Sequence, residues 1–231
     1  MFPRGIRLLH VDLRDFFMKG KHGYLSSHSC SIIGAPDIRK ITFKATTFLL
    51  GSQYIRDGSC GRVVRMIKGG NQGKSQSGAI AVASFMHAKE FNGPALACRR
   101  THVAYGILDY VRYIDNMLFV LGPGVSSEPI LQLLEQELFP YEFTIEEESD
   151  VGIDFLDMHL HMGGAFEASG HLQFKPTLRN KGRVLGALSA HVPGIHFSWP
   201  IAFARRLYFR SSDIKDFRFA LEGFVEEASR G

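Results

Sequence analysis

The stretch that most constrains this chain runs from Tyr110 to Val120: Tyr-Val-Arg-Tyr-Ile-Asp-Asn-Met-Leu-Phe-Val. β-Branched and aromatic residues fill both flanks. Such runs read as strands, because those side chains pack well on a pleated surface. Between them stands Asp115-Asn116, a pair that favours tight turns. The pattern predicts a hairpin whose tip carries the Asp115 carboxylate, pointing out of the sheet. Asp and Asn also occur in turns for conformational reasons alone, so the pair reads either as turn chemistry or as a ligand site.

Hydrophobic residues make up 45% of the 231 positions and charged residues 22%, enough to bury a core and unlike a disordered chain. A net charge of +4 mildly favours a polyanionic partner. Cys30, Cys60 and Cys98 are far apart and odd in number, fitting neither a disulfide framework nor a zinc spacing. Their state points to a reducing, intracellular setting, nuclear or cytoplasmic. His159 and His161 would share one face of a strand, but no third ligand stands at a matching offset. Without an apolar run of 18 or more residues or a secretion signal, no membrane partner is expected. The first strand pattern begins almost at Met1, which leads to the expectation that upstream sequence is missing.

Residues 6–17 read as a strand, 19–36 as loop, and 37–57 as a helix with Ile41, Phe43, Ala45, Phe48 and Leu49 at helical spacing. Residues 62–68 suggest a short basic strand. The Gly- and Ser-rich segment 69–78 runs into a helix over 79–91. A glycine-rich loop entering a helix offers backbone N–H groups to phosphates, and Lys68 and Lys74 flank it. Ser126 and Ser127 open a helix reaching about residue 139. Strands are expected over 141–147, 153–162 and 171–175. An irregular segment, 185–200, precedes two basic helices over 201–210 and 213–228. The expected fold is α+β: a mainly antiparallel sheet backed by helices over 1–178, then a small helical region over 179–231.

Asp12 lies in the first strand and Asp115 at the hairpin tip. If these strands are neighbours, the two carboxylates meet. Hard divalent ions take carboxylates together with substrate phosphates, and paired ions assist phosphoryl transfer.

In this order the motifs resemble the palm of reverse transcriptases, most closely those of Penelope-like retroelements. Residues 9–17, LHVDLRDFF, look like the first palm motif. Residues 69–86, GGNQGKSQSGAIAVASFM, look like the Gly-rich second. Residues 112–117, RYIDNM, are similar to the Arg-Tyr-hydrophobic-Asp-Asp hairpin. Residues 153–157, IDFLD, and 174–177, FKPT, look like the strand pair that follows, and 189–194, SAHVPG, with Pro200 and Arg205-Arg206, like the thumb.

The resemblance implies a palm-type sheet with a thumb-like tail and largely missing fingers. It implies an RNA-directed DNA polymerase, a nucleotidyltransferase using Mg2+ or Mn2+ held by Asp12 and Asp115. Its partners would be an RNA or DNA template with primer, and deoxynucleoside triphosphates. Asn116 would join the catalytic set. Phe17 would stand where a ring screens the ribose 2′-OH. Gln72 and Gly73 would lie beneath the incoming nucleotide. Lys74, Lys175, Arg205 and Arg206 would contact nucleic acid. Two departures stand out: Asp115-Asn116 replaces the usual Asp-Asp, and Lys74, Gln76 and Gly78 replace small and Pro residues. The alternative to a polymerase is therefore a catalytically inactive nucleic-acid-binding remnant.

Overall fold

Strand β1 (Arg7–Arg14) forms where apolar residues run almost unbroken. Leu8, Leu9, His10, Val11 and Leu13 are buried, as in a strand covered on both faces. A 3-10 turn (Phe16–Met18) closes it, with Asp15 in left-handed conformation at φ 51°. The computed structural model describes residues 1–70, 75–93, 96, 99–177 and 193–228. The chain divides into two units. One comprises Val11–Leu121 and Val125–Glu146; the other comprises Met1–His10, Gly122–Gly124 and the chain from Glu147 onward.

In the first unit, helix α1 (His22–Ser31) occupies part of the segment expected to be loop. Its Ser, His and Gly content gives little helix propensity, which hid it from the sequence. The helix rests on packing: Leu25, Ser26, Ser29 and Cys30 are buried, and Leu25 meets Leu50 and Ile80. Helix α2 (Pro36–Gly51) fills most of the segment expected to be helical, starting on a proline suited to a first turn, but it stops at Gly51, and residues 54–56 of that segment form a strand instead. Its buried side is not the expected one, however. Thr46 and Leu50 face inward, whereas Ile41, Phe43, Phe48 and Leu49 are exposed. Strands β2 (Tyr54–Arg56) and β3 (Val63–Arg65) pair antiparallel. Helix α3 (Ser75–Phe85) starts earlier than its composition suggests and continues as a π-helical turn (Met86–Phe91). A short helix, α4 (Arg99–Ala104), precedes the hairpin of β4 (Ile107–Tyr113) and β5 (Asn116–Leu121). Helix α5 (Glu128–Glu137) follows, with Ser126 Oγ accepting the Glu128 N–H at 3.3 Å.

Strand β6 (Glu142–Ser149) completes a sheet of order β4-β5-β1-β6. The hairpin thus lies directly beside β1, the neighbourhood expected of a palm-type sheet. Met117 to Leu121 are all buried, so β5, like β1, is an interior strand. Phe16, Phe85 and Tyr141 form an aromatic cluster with ring centroids 5.2–5.7 Å apart.

The second unit holds β7 (Gly152–Phe155), β8 (Met158–His161) and β9 (Gln173–Pro176), paired antiparallel in that order, with helix α6 (Gly164–Ser169) between the last two. The single strand expected over 153–162 is therefore a tight hairpin. Leu156, at φ 58°, reverses the chain where alternation had suggested continuity. Helix α7 (Pro193–Phe209) contains Pro200, so residues 193–200, expected to be irregular, are helical. Helix α8 (Ile214–Ala228) packs on it through Leu207, Ala220 and Phe224, with Trp199 and Phe203 alongside. The expected boundary near residue 178 lies outside the described residues. Among those residues, no helix is long and apolar enough to cross a membrane.

Candidate active site at the hairpin tip

The register pairs Tyr113 with Asn116, leaving Ile114 and Asp115 as the two turn residues. The expected Asp-Asn turn is thus displaced by one position, and Asn116 opens β5. Ile114 takes the left-handed conformation at φ 57°, whereas Asp115 is not among the residues with positive φ. A left-handed conformation costs an L-residue roughly 1–2 kcal/mol, and a β-branched residue is especially ill suited to it. Position 115 makes no such demand, so backbone conformation alone does not call for Asp there.

Three contacts hold the tip. The Leu13 N–H donates to the Asp115 carbonyl at 2.9 Å, tying the residue after Asp12 to the turn. Asn116 Nδ2 donates to Asp115 Oδ1, also at 2.9 Å. Arg112 Nη1 donates to the Ile114 carbonyl at 2.6 Å. Asp12 and Asp115 are both half-buried, and Thr144 Oγ1 donates to the Asp12 carbonyl at 3.5 Å.

Arg112 belongs to the hairpin motif, but its partner is not legible in the sequence. Its guanidinium forms a two-pronged pair with Glu90, Nε to Oε1 at 2.7 Å and Nη2 to Oε2 at 2.8 Å. The side chains are only 6% and 17% exposed. Tyr110 OH adds a bond to Glu90 Oε1 at 3.0 Å, and the guanidinium carbon lies 4.6 Å from the Phe85 ring centroid. Burial and the neighbouring Glu90 carboxylate push the Tyr110 hydroxyl pKa far up, so the phenol remains a donor. The π-helical turn presents Glu90, and nothing local in sequence links it to a residue 22 positions away.

Phe17 comes together with the Gly-rich segment. A Cβ added at Gly78 would stand 3.8 Å from the Phe17 ring, and the Gly70 N–H donates to the Phe17 carbonyl at 2.6 Å. Gly69, at φ +72°, lies so close that a Cβ there would meet Met18 Cα at 2.6 Å. Only glycine permits that approach. Gln72, Gly73 and Lys74 lie outside the described residues.

Lys175 is exposed on β9, opposite His159. Arg205 is exposed on α7. Arg206 and Arg210 both pair with Asp157 in the β7–β8 turn, and Ser212 exchanges hydrogen bonds with the Phe174 backbone. Those contacts dock the helical tail on the β7–β9 sheet. His159 and His161 stack with centroids 5.8 Å apart, and His159 Nδ1 lies 2.7 Å from Asp154 Oδ1. Among the described residues, no group of three or more His, Cys, Asp or Glu side chains is placed to hold a metal ion.

No protein-family model matches the chain, and no curated protein matches it in sequence. Solved structures of apo telomerase from Candida tropicalis, one of them truncated of its C-terminal domain, overlap it at 12% identity, as does telomerase from Candida albicans in complex with a fragment of telomeric RNA. The overlaps cover 69% of this chain and 34%, 31% and 30% of theirs, with TM-scores of 0.45, 0.46 and 0.45 for the truncated, full and RNA-bound structures respectively. The chain spans about a third of the length of those structures, and the likeness is one of coarse fold.

Proposed function

We propose that this chain is a reverse-transcriptase palm with a thumb-like tail, an RNA-directed DNA polymerase that extends a primer on an RNA or DNA template with deoxynucleoside triphosphates. By its motifs it is most similar to the Penelope-like group. The observation that carries the reading is the Leu13 N–H to Asp115 carbonyl bond at 2.9 Å, since it makes Asp12 and the hairpin tip neighbours across two strands 103 residues apart in sequence.

Two carboxylates on adjoining strands fit a Mg2+ or Mn2+ whose remaining ligands come from substrate phosphates, the usual manner of Mg2+ binding. Such an ion would polarise the attacking primer oxygen and neutralise charge on the phosphate. The chain's own residues would do the rest. Phe17 would stand against the sugar, and the backbone around Gly69 and Gly70 would admit the nucleotide. Exposed Lys175 and Arg205 would follow the duplex phosphates. Arg206, through Asp157, would hold the tail in place.

The second reading, a catalytically inactive nucleic-acid-binding remnant, is favoured by Asn116. Its amide supplies a hydrogen bond to Asp115 Oδ1 in place of a second carboxylate, so Asp115 has a partner without a metal.

One assay separates the readings: oligo(dT)-primed extension on poly(rA) with Mn2+, alongside duplex binding at two salt concentrations. A polymerase extends the primer, and Asp115→Ala brings extension to background. Extension that survives Asp115→Ala refutes the metal-site reading. Salt-dependent duplex binding without any extension establishes the remnant.

A further inference from the structure

Four lysines from distant parts of the first unit converge on one pocket whose lining includes no residue of the hairpin tip. Lys19 and Lys21 follow the 3-10 turn, Lys68 precedes the Gly-rich segment, and Lys89 sits in the π-helical turn. A backbone bridge between Lys21 and Lys68 brings the first two segments together. The pocket measures ≈ 590 Å³, within the range of small-molecule sites, roughly 300–1,000 Å³. Tyr24 and Phe139 add aromatic walls, Phe139 being 78% exposed at the rim.

Charge is only partly balanced here. Lys19 pairs with Glu142 at 2.9 Å. Lys89 Nζ donates to the Glu137 carbonyl at 2.5 Å, and burial pushes its pKa down, opposed by the Glu137 carboxylate. Among the described residues, neither Lys21 nor Lys68 has a carboxylate at ion-pair distance. Like charges gathered on one cavity repel one another, and a bound anion relieves that repulsion. Ammonium groups beside an exposed ring match the phosphate and base of a nucleotide unit.

We propose that this pocket is a phosphate-binding site, taking either the backbone of a single strand of nucleic acid or a free polyphosphate. The proposal does not depend on a metal at Asp12 and Asp115.

The test measures binding of a fluorescein-labelled oligo(dT) of about 12 nucleotides by anisotropy, and of sodium tripolyphosphate by calorimetry. The proteins compared are the unmodified chain, Lys21→Ala/Lys68→Ala, Phe139→Ala, and a control, Lys40→Ala/Lys44→Ala, on an exposed face of α2. Circular dichroism confirms folding. Both pocket lysines are exposed, so their truncation leaves the core intact. For a strand site, the pocket double variant weakens oligo(dT) binding roughly tenfold and flattens the salt slope by about 1.4, or about 0.7 per phosphate contact. In that case Phe139→Ala also weakens oligo(dT) binding but leaves tripolyphosphate unaffected. For a free-polyphosphate site, the double variant abolishes tripolyphosphate binding while oligo(dT) and Phe139→Ala show no effect. If the pocket double variant binds both probes as the unmodified chain and the α2 control do, the proposal is overturned.

Discussion

Truncating Arg112 to Met tests how the hairpin tip is held. The change removes both bonds to Glu90, at 2.7 and 2.8 Å, and the bond to the Ile114 carbonyl at 2.6 Å. It leaves the Glu90 carboxylate, 17% exposed, with the Tyr110 hydroxyl as a neutral donor. Breaking a buried ion pair from one side costs about 3–5 kcal/mol, because the stranded charge stays desolvated. For a chain of this length each kcal/mol lowers Tm by about 2–4 °C, so the expected fall is roughly 6–20 °C. Glu90→Gln should cost less, since an amide still accepts from the guanidinium. The double variant Arg112→Met/Glu90→Gln should be more stable than Arg112→Met alone, with a coupling of about 2 kcal/mol in a double-mutant cycle. Thermal and urea unfolding followed by circular dichroism provide the four values. A cost below about 1 kcal/mol for Arg112→Met, the range of a surface pair, or strict additivity, would refute the view that this pair is a buried clamp.

Three further outcomes are expected. Gly69→Ala, forced to a left-handed φ with its Cβ 2.6 Å from Met18 Cα, should destabilise by about 2–4 kcal/mol in urea unfolding, whereas Gly23→Ala, with open space around it, should be neutral or stabilising. The His28 pKa is lowered by burial and by the nearby His87 and Lys89 charges, so the unfolded chain takes up protons first; stability should fall as pH drops below the ordinary value near 6.5, and His28→Gln should flatten that dependence in pH-resolved melts. Asn116→Asp loses the amide bond to Asp115 and adds a like charge, which should lower Tm in EDTA by an amount equivalent to about 1 kcal/mol or more; Mn2+ should restore it, and a Tm indifferent to Mn2+ would count against a metal at the tip.

Legibility in the sequence followed the range of the forces involved. Tyr110 to Val120 announced two strands because their side chains alternate within reach of one another, and β5 is buried from Met117 to Leu121, as its unbroken apolar run implies. Ser126 announced a helix start because its hydroxyl's bond to the Glu128 N–H spans only two residues. Helix α1 was illegible: its own residues favour loop, and it exists because Leu25 finds Leu50 and Ile80. The exposed face of α2 was misread for the same reason, since spacing reveals an apolar face but not what covers it. The Glu90–Arg112 clamp and the four-lysine pocket were invisible because each joins segments that only the tertiary fold brings together. The strand pairing that makes Asp12 and Asp115 neighbours was anticipated only through the ordered motif set, not through any local signal.

The turn itself narrows the choice between the two meanings of Asp115. Asp in a tight turn is ordinarily explained by tolerance of left-handed backbone, and Asp15, at φ 51°, is such a case. At the hairpin tip the left-handed position belongs to Ile114 instead, although a β-branched residue is poorly suited to it. The β7–β8 hairpin repeats the arrangement, with Leu156 left-handed and Asp157 following it. There the Asp has an evident electrostatic task, since Arg206 and Arg210 both close on it. In both hairpins an aliphatic residue takes the strained conformation, and the carboxylate follows where no left-handed strain requires it. At Asp157 the complementary cations belong to the chain. At Asp115 a side-chain partner is the neutral amide of Asn116, and its main chain is bound to the residue after Asp12. The turn gives that carboxylate no conformational task; the proposed metal site would give it one, and the Asn116 amide is the partner that the remnant reading assigns it.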